Sequence, residues 1–209
     1  METVDYSLYL ITDRGLLGDR DLITEVRRAV RGGVTMVQLR EKDILSREFY
    51  HIAVSLKEEL ARHKIPLIIN DRLDIALAVD ADGLHIGQDD LPLWEAQRLL
   101  GNNKMIGLSV NTLEQALDAE SSGASYLGVG PVFFTQTKID IDKPIGIESL
   151  KYLKQNLKIP LVAIGGINKS NIAEIKKTGV DGVAVASALM GVEDIAEAAR
   201  RMMSEWKGN

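Results

Sequence analysis

Short apolar runs alternate along the chain with longer stretches in which apolar residues recur at helical spacing. Eight runs of five or six residues, rich in Val, Ile and Leu, predict β-strands. They are LYLIT (8–12), TMVQL (35–39), PLIIN (66–70), GLHIG (83–87), MIGLS (105–109), SYLGVG (125–130), PLVAIG (160–165) and GVAVA (182–186). Because nearly continuous apolar sequence is typical of strands buried on both faces, the pattern favours a parallel sheet covered by helices.

Amphipathic segments between these runs predict the helices. They span 20–31, 46–62, 73–78, 92–100, 112–121, 147–157, 169–177 and 193–206. Eight strand-helix units in 209 residues predict an α/β fold, a compact (β/α)8 barrel forming one domain over residues 1–209. The alternative is an open doubly wound sheet, but that fold usually carries a glycine-rich fingerprint after its first strand, where this chain reads DRGLLGDR.

Composition narrows the classes of function. No 18 consecutive residues are apolar, and the first ten residues lack the basic-then-apolar pattern of a signal peptide, so we expect a soluble, cytoplasmic protein with no membrane partner. The absence of cysteine excludes disulfides, thiolate zinc sites and cysteine catalysis. A net charge of −5 argues against a broad nucleic-acid surface.

Polar residues cluster where the predicted strands end. In a (β/α)8 barrel these positions meet at one mouth, where the active site lies. They include Asp13, Arg14, Gln38, Arg40, Glu41, Lys42, Asn70, Asp71, Arg72, Gln88, Asp89, Asp90, Ser109, Thr135, Gln136, Thr137, Lys138 and Ser187. Several cations and hydroxyl groups opposite a few carboxylates are suited to a diphosphate with a divalent metal ion.

Two of the carboxylates are candidate metal ligands. Asp71 and Asp90 offer the oxygen atoms that Mg2+ prefers, and Mg2+ usually takes only one or two carboxylates and keeps several waters. Each also has a structural interpretation. Asp71 could cap the helix that follows it, and either Asp89 or Asp90 is expected to cap the helix containing LPLWEAQ.

A glycine pair follows the seventh predicted strand. Gly165 and Gly166, with the small residues of VASAL after the eighth strand, match the barrel arrangement in which backbone N–H groups and a helix N-terminus bind a phosphate. The missing Cβ atoms would let the ligand approach closely. The alternative is that the glycines only form a tight turn.

Taken together, the motifs are similar to those of the thiamine-phosphate synthase family. In chain order they are LYLITDR, VQLREKD, IINDRLDIAL, ADGLHIGQDDLP, IGLSVNT, YLGVGPVFFTQTK, VAIGGI and DGVAVASAL, and they cover nearly the whole chain. The resemblance implies a transferase with two small-molecule substrates, hydroxymethylpyrimidine diphosphate and a thiazole phosphate, and with thiamine phosphate and pyrophosphate as products. It implies Mg2+ as the cofactor.

The resemblance also implies residue roles. The pyrimidine diphosphate would contact Gln38, Arg40, Lys42, Asn70, Ser109 and Lys138, of which Arg40, Lys42 and Lys138 would neutralise the leaving group. Asp71 and Asp90 would bind Mg2+. The thiazole substrate would meet Thr135, Gln136 and Thr137, with its phosphate at Gly166, Ala186 and Ser187. Glu41 is expected to point away from this group and to serve as an ion-pair partner.

Two features of the sequence leave alternatives open. After TQTK the chain reads IDIDKPIGIES, which departs from the family pattern and puts the roles of Thr135 to Thr137 in question. The alternative functions are a thiazole tautomerase of the same superfamily, which needs no diphosphate–metal site, and a non-catalytic barrel that binds a phosphate ligand. Homo-oligomer formation through the outer helices stays open.

Overall fold

The computed structural model describes residues 4–134 and 143–208. Eight parallel strands form a closed barrel in chain order, with β1 paired to β8. The strands are β1 Leu8–Ile11, β2 Met36–Leu39, β3 Leu67–Asn70, β4 Gly83–Ile86, β5 Met105–Val110, β6 Tyr126–Val129, β7 Leu161–Ile164 and β8 Gly182–Val185. The predicted (β/α)8 barrel is confirmed, and the ends of each predicted strand lie within one residue of those observed.

Helices alternate with the strands and cover the outside of the barrel. They are α1 Leu22–Arg31, α2 Ser46–Ala61, α3 Leu73–Ala78, α4 Leu93–Leu100, α5 Leu113–Ser121, α6 Gly146–Asn156, α7 Ile172–Lys176, α8 Ser187–Met190 and α9 Ile195–Lys207. The prediction missed the four-residue α8 and a 3-10 turn at Arg14–Leu16, because both are too short to show a helical period. Across the described residues, none of the helices has the length and apolar character needed to cross a membrane.

A side-chain cap at the start of α1 and an ion pair between α1 and α2 fix the first two helices. The Asp21 carboxylate accepts a hydrogen bond from the Thr24 N–H at 2.8 Å and so begins α1. Arg27 on α1 then donates two hydrogen bonds, of 2.7 and 2.9 Å, to the buried Glu59 on α2. The hydrogen bond from Arg27 is the largest cause that lowers the pKa of Glu59 to about 2. Glu59 therefore stays ionised and joins the two helices.

A second cluster of buried residues fills the inside of the barrel, separate from the layer between strands and helices. It contains Tyr9, Ile11, Met36, Ile68, Tyr126, Val162 and Ala184. Two glycines make room for the ring of Tyr126 and for that of His85 beside it. A Cβ atom on Gly107 would lie 2.2 Å from Cζ of Tyr126 and 2.6 Å from Nδ1 of His85, and one on Gly128 would lie 3.0 Å from Cε1 of His85.

We predict that Gly107→Ala destabilises the protein, because the added methyl group would overlap the Tyr126 ring in a closed barrel that cannot expand locally. Overpacking of this kind typically costs about 1–3 kcal/mol. Urea unfolding followed by circular dichroism measures the loss of unfolding free energy. Gly128→Ala is the matched control and should cost less, since its nearest neighbour is farther away. A Gly107→Ala variant as stable as the unmodified chain would contradict this description of the interior.

Candidate active site

Asp71 takes an unusual backbone conformation at the end of β3. Its φ is +60°, a left-handed conformation that is uncommon outside glycine. Lys64 and Asp80 share this conformation, but they follow helix ends, where left-handed residues are common. Asp71 instead precedes α3, and the N-cap of that helix is Arg72, with no side-chain cap. The alternative interpretation, in which Asp71 caps α3, is therefore wrong, and its carboxylate is directed elsewhere.

The Asp71 and Asp90 side chains lie within hydrogen-bonding reach of each other at the mouth. Burial, followed by repulsion from Asp90, raises the pKa of the Asp71 carboxyl to about 6. Lys42 and Arg40 oppose this change through their positive charges. Asp90, Lys42 and Arg40, three other predicted site residues, thus lie close enough for their charges to act on Asp71. A cation bound between two carboxylates held this close would reduce their mutual repulsion.

Asp90 is held by a turn after β4. Its Oδ2 accepts a hydrogen bond of 2.7 Å from the Gly87 N–H. Helix α4 begins only at Leu93. Its N-cap residue is Pro92, and no side chain forms a capping hydrogen bond there. The expectation that Asp89 or Asp90 caps this helix is therefore wrong: the intervening Leu91 and Pro92 separate both carboxylates from the first turn.

The segment after β2 separates its charges. The Arg40 N–H donates to Oγ1 of the buried Thr12 at 3.0 Å, which fixes the end of β2 against β1. Glu41, as expected, forms an ion pair: Arg14 Nε lies 2.9 Å from its carboxylate, while Arg14 Nη1 lies 3.0 Å from Glu48. Arg14 thus neutralises Glu41 on one side of the segment. On its other side, Arg40 and Lys42 act on Asp71 through their positive charges.

Gln38, Asn70 and Ser109 lie at the bottom of the mouth, at or near the ends of β2, β3 and β5. Gln38 and Asn70 are buried, with exposed fractions of 2% and 9%. Gln38 Nε2 donates to the Tyr9 hydroxyl at 2.9 Å, and Ser109 Oγ lies 2.9 Å from His85 Nε2. His85 on β4 thus points into the barrel, and both of its ring nitrogens lie within hydrogen-bonding distance of a hydroxyl group.

The predicted phosphate region lies at the ends of β7 and β8. Gly165 and Gly166 have φ values of +99° and +65°. Their Cβ positions, however, face the loop after β6: an added Cβ would lie 2.5 Å from Cβ of Pro131 at Gly165 and 2.5 Å from the Phe134 carbonyl oxygen at Gly166. The missing Cβ atoms therefore accommodate this loop, and the expectation that they clear space for the ligand is wrong.

Ala186 and Ser187 follow β8. Ala186 is the N-cap of α8, which begins at Ser187, and Ala186 packs against the inner cluster of the barrel. The first N–H groups of a helix have no partner within the helix. The segment after β8 therefore offers backbone donors at the same end of the barrel as Gly166. Thr135, Gln136, Thr137 and Lys138 lie outside the described residues, so their predicted roles stay predictions.

Sequence reasoning missed three residues of this region. Tyr9, Tyr126 and Thr12 are buried polar residues that connect to Gln38, His85 and Arg40. The alternation within β1 and β6 could have found the tyrosines, because Tyr9 and Tyr126 are in phase with Ile11 and Gly128, on the inner face. Their apolar neighbours made both strands look uniformly buried.

Comparison with known proteins identifies the family to which the sequence is similar. The model of the thiamine monophosphate synthase family matches residues 8–189. The thiamine-phosphate synthase of Syntrophomonas wolfei is 61% identical over 209 residues, covering all of both chains. That of Desulfitobacterium hafniense is 52% identical, covering 98% of this chain and 99% of its own.

A solved structure, the thiamine phosphate pyrophosphorylase of Pyrococcus furiosus, is 43% identical with a TM-score of 0.90, covering 98% of this chain and 97% of that one. The barrel, the clustered site residues and these relatives agree with one another. The chain belongs to the thiamine monophosphate synthase family.

Proposed function

We propose that this protein joins hydroxymethylpyrimidine diphosphate to a thiazole phosphate, giving thiamine phosphate and pyrophosphate. Its family makes it a transferase of thiamine biosynthesis that acts on small molecules. The observation that carries the proposal is the cluster of Asp71, Asp90, Arg40 and Lys42 at the mouth. A diphosphate substrate needs both a metal ion and cations, whereas a thiazole tautomerase needs no such site, and the relatives of 61% and 52% identity are named as synthases.

Asp71 and Asp90 would hold Mg2+. The fit rests on the donor set, because two carboxylates that lie within hydrogen-bonding reach of each other and repel one another are suited to a divalent cation. No group of three or more His, Asp or Glu residues that could hold a metal occurs within 4–134 and 143–208. With two carboxylates as protein ligands, Mg2+ would take its other ligands from water and from substrate oxygens, as is usual for this ion. Bound Mg2+ would supply positive charge beside the diphosphate.

Arg40 and Lys42 would pair with the diphosphate oxygens and, with Lys138, would offset the charge that grows as the leaving group departs. The carbon–oxygen bond to the diphosphate would break first, and the thiazole nitrogen would then bond to the resulting pyrimidinylmethyl cation. No protein nucleophile is needed. The larger contribution of the chain is to hold two substrates in line, which can supply up to about 7–11 kcal/mol.

The thiazole phosphate would lie at the other side of the mouth. Its phosphate would accept hydrogen bonds from the backbone at Gly166, Ala186 and Ser187, supported by the shared position of these residues at the ends of β7 and β8. Thr135, Gln136 and Thr137 would contact its ring. A single domain over residues 1–209, a cytoplasmic location and the state of oligomerisation stay predictions.

The first test is an assay with both substrates and Mg2+ that follows thiamine phosphate and pyrophosphate together. We expect both products, and we expect Asp71→Ala to lower kcat/KM at least about 100-fold, equivalent to about 2.7 kcal/mol of transition-state stabilisation. The reason is loss of a metal ligand beside the leaving group. Asp74→Ala is the matched control, because Asp74 is exposed and pairs with Arg72; it should keep near-normal activity.

Isothermal titration calorimetry separates the two halves of the site in the same variants. Asp71→Ala should lose Mg2+-dependent binding of the pyrimidine diphosphate and keep binding of the thiazole phosphate. Unchanged Mg2+ dependence in Asp71→Ala would exclude Asp71 as a ligand. Binding of the thiazole phosphate with no turnover in the unmodified protein would favour the tautomerase or a binding role.

A second prediction concerns pH. The pKa of Asp71 is raised to about 6, so this carboxyl is ionised above that pH and protonated below it. Since a proton then competes with the metal, the apparent affinity for Mg2+ should be steady above pH 6 and fall about tenfold per pH unit below it. Calorimetric titration between pH 5 and 8 measures this. Asp74→Ala, the matched control, should keep the inflection, and an affinity of the unmodified protein that stays constant down to pH 5 would contradict the prediction.

A further inference from the structure

Five polar side chains form one continuous chain of hydrogen bonds across the inside of the barrel. Gln38 Nε2 donates to the Tyr9 hydroxyl at 2.9 Å, and the hydroxyls of Tyr9 and Tyr126 lie 2.9 Å apart. The Tyr126 hydroxyl lies 3.0 Å from Nδ1 of His85, and Nε2 of His85 lies 2.9 Å from Ser109 Oγ. The chain therefore begins and ends at two residues of the candidate pyrimidine site.

The middle of this chain lies in the interior of the barrel. Tyr9 and Tyr126 are 1% and 0% exposed, and burial is the largest cause that raises the pKa of each phenol well above its usual value. Both hydroxyls therefore keep their protons at neutral pH. A phenol that keeps its proton has one hydrogen to donate, and a neutral imidazole has one donor and one acceptor nitrogen.

Because each phenol has a single hydrogen to donate, the direction of one hydrogen bond in the series determines the direction of the next. Since Gln38 donates to Tyr9, Tyr9 donates to Tyr126 and Tyr126 donates to Nδ1 of His85. The proton of His85 is then on Nε2, which donates to Ser109. Reversing one bond alone would turn two donors toward each other or leave a buried hydroxyl hydrogen without an acceptor, which is unfavourable. The ends cannot change their roles independently.

The strands reserve space for this arrangement. Gly107 on β5 and Gly128 on β6 have no side chain at the positions where the rings of Tyr126 and His85 lie. In addition, the Tyr6 ring packs against Tyr126 with centroids 5.3 Å apart. The rings are thus held in place by packing as well as by hydrogen bonds.

We propose that Tyr9, Tyr126 and His85 are positioning residues that fix the donor and acceptor roles of Gln38 and Ser109 as one unit. Gln38 then presents its carbonyl oxygen as an acceptor, and Ser109 presents its hydroxyl hydrogen as a donor. An aminopyrimidine matches this pair, because its amino group donates and its ring nitrogen accepts. The identity of the ligand rests on the proposed function. The coupling between Gln38 and Ser109 rests only on the hydrogen bonds that connect them.

A double-mutant cycle tests the coupling. Gln38→Ala, Ser109→Ala and the double variant are compared by kcat/KM for the pyrimidine diphosphate in the unmodified chain and in a Tyr126→Phe background. With the series of hydrogen bonds intact, the effect of the double substitution on kcat/KM should differ about tenfold from the product of the two single effects. In Tyr126→Phe the effects should multiply within about twofold, as for independent residues.

Tyr6→Phe is the matched control, because it removes a hydroxyl from the same aromatic cluster outside the chain and should leave the coupling unchanged. Tyr9→Phe breaks another link and serves if Tyr126→Phe does not fold. KM for the thiazole phosphate should stay within about twofold in all backgrounds, since that substrate contacts other residues. Equal coupling with and without the Tyr126 hydroxyl, or no coupling in the unmodified chain, would overturn the proposal.

A second readout needs no turnover. Nitrogen-15 NMR of the histidine-labelled protein, assigned with His85→Gln, should show His85 as the Nε2–H tautomer, changed by Tyr126→Phe and unaffected by Tyr6→Phe. A doubly protonated ring or an Nδ1–H tautomer would overturn the proposal. If the unmodified protein makes no thiamine phosphate while this tautomer is observed, the proposed function is wrong, but the positioning role of the interior hydrogen bonds is supported.

Discussion

Hydrogen bonding between the first and last strands closes the barrel, and every other feature depends on this closure. Leu8, Tyr9 and Leu10 pair with Val183, Ala184 and Val185. Because all eight strands are parallel, closure brings their carboxyl ends to one mouth, so that residues far apart in sequence share a site. It also fixes the interior volume, which is why the large rings on β4 and β6 are matched by glycines on β5 and β6.

The closed barrel also determines how acidic and basic residues are distributed at the mouth. The segment Arg40–Glu41–Lys42 leaves β2 with its acidic residue taken by Arg14, while its two cations act on Asp71. The site we propose would have to attract both a polyanion, the diphosphate, and a metal ion of opposite charge. Separating carboxylates on the ends of β3 and β4 from cations after β2 allows both within one small mouth.

The sequence predicts the frame well because each strand is a short, strongly apolar run bounded by polar residues or glycine. It also predicts that Asp71, Asp90, Arg40 and Lys42 share a neighbourhood, since the barrel dictates where strand ends meet. It fails where local conformation decides. The left-handed Asp71 and the Gly87–Asp90 turn remove both predicted helix caps, and Gly165 and Gly166 accommodate the loop after β6. Tyr9 and Tyr126 escape notice because an aromatic residue in an apolar strand carries no sign of its hydroxyl partner.

The two interior glycines have an evolutionary consequence. A side chain at position 107 and the ring at position 126 occupy the same space, so neither can change alone without a clash or a cavity. Gly128 and His85 are linked in the same way, more loosely. Substitutions on β4, β5 and β6 should therefore be inherited together, as a covarying set. A homologue with a larger residue at the position of Gly107 is expected to carry a smaller one at that of Tyr126, and with it a differently organised floor to its active site.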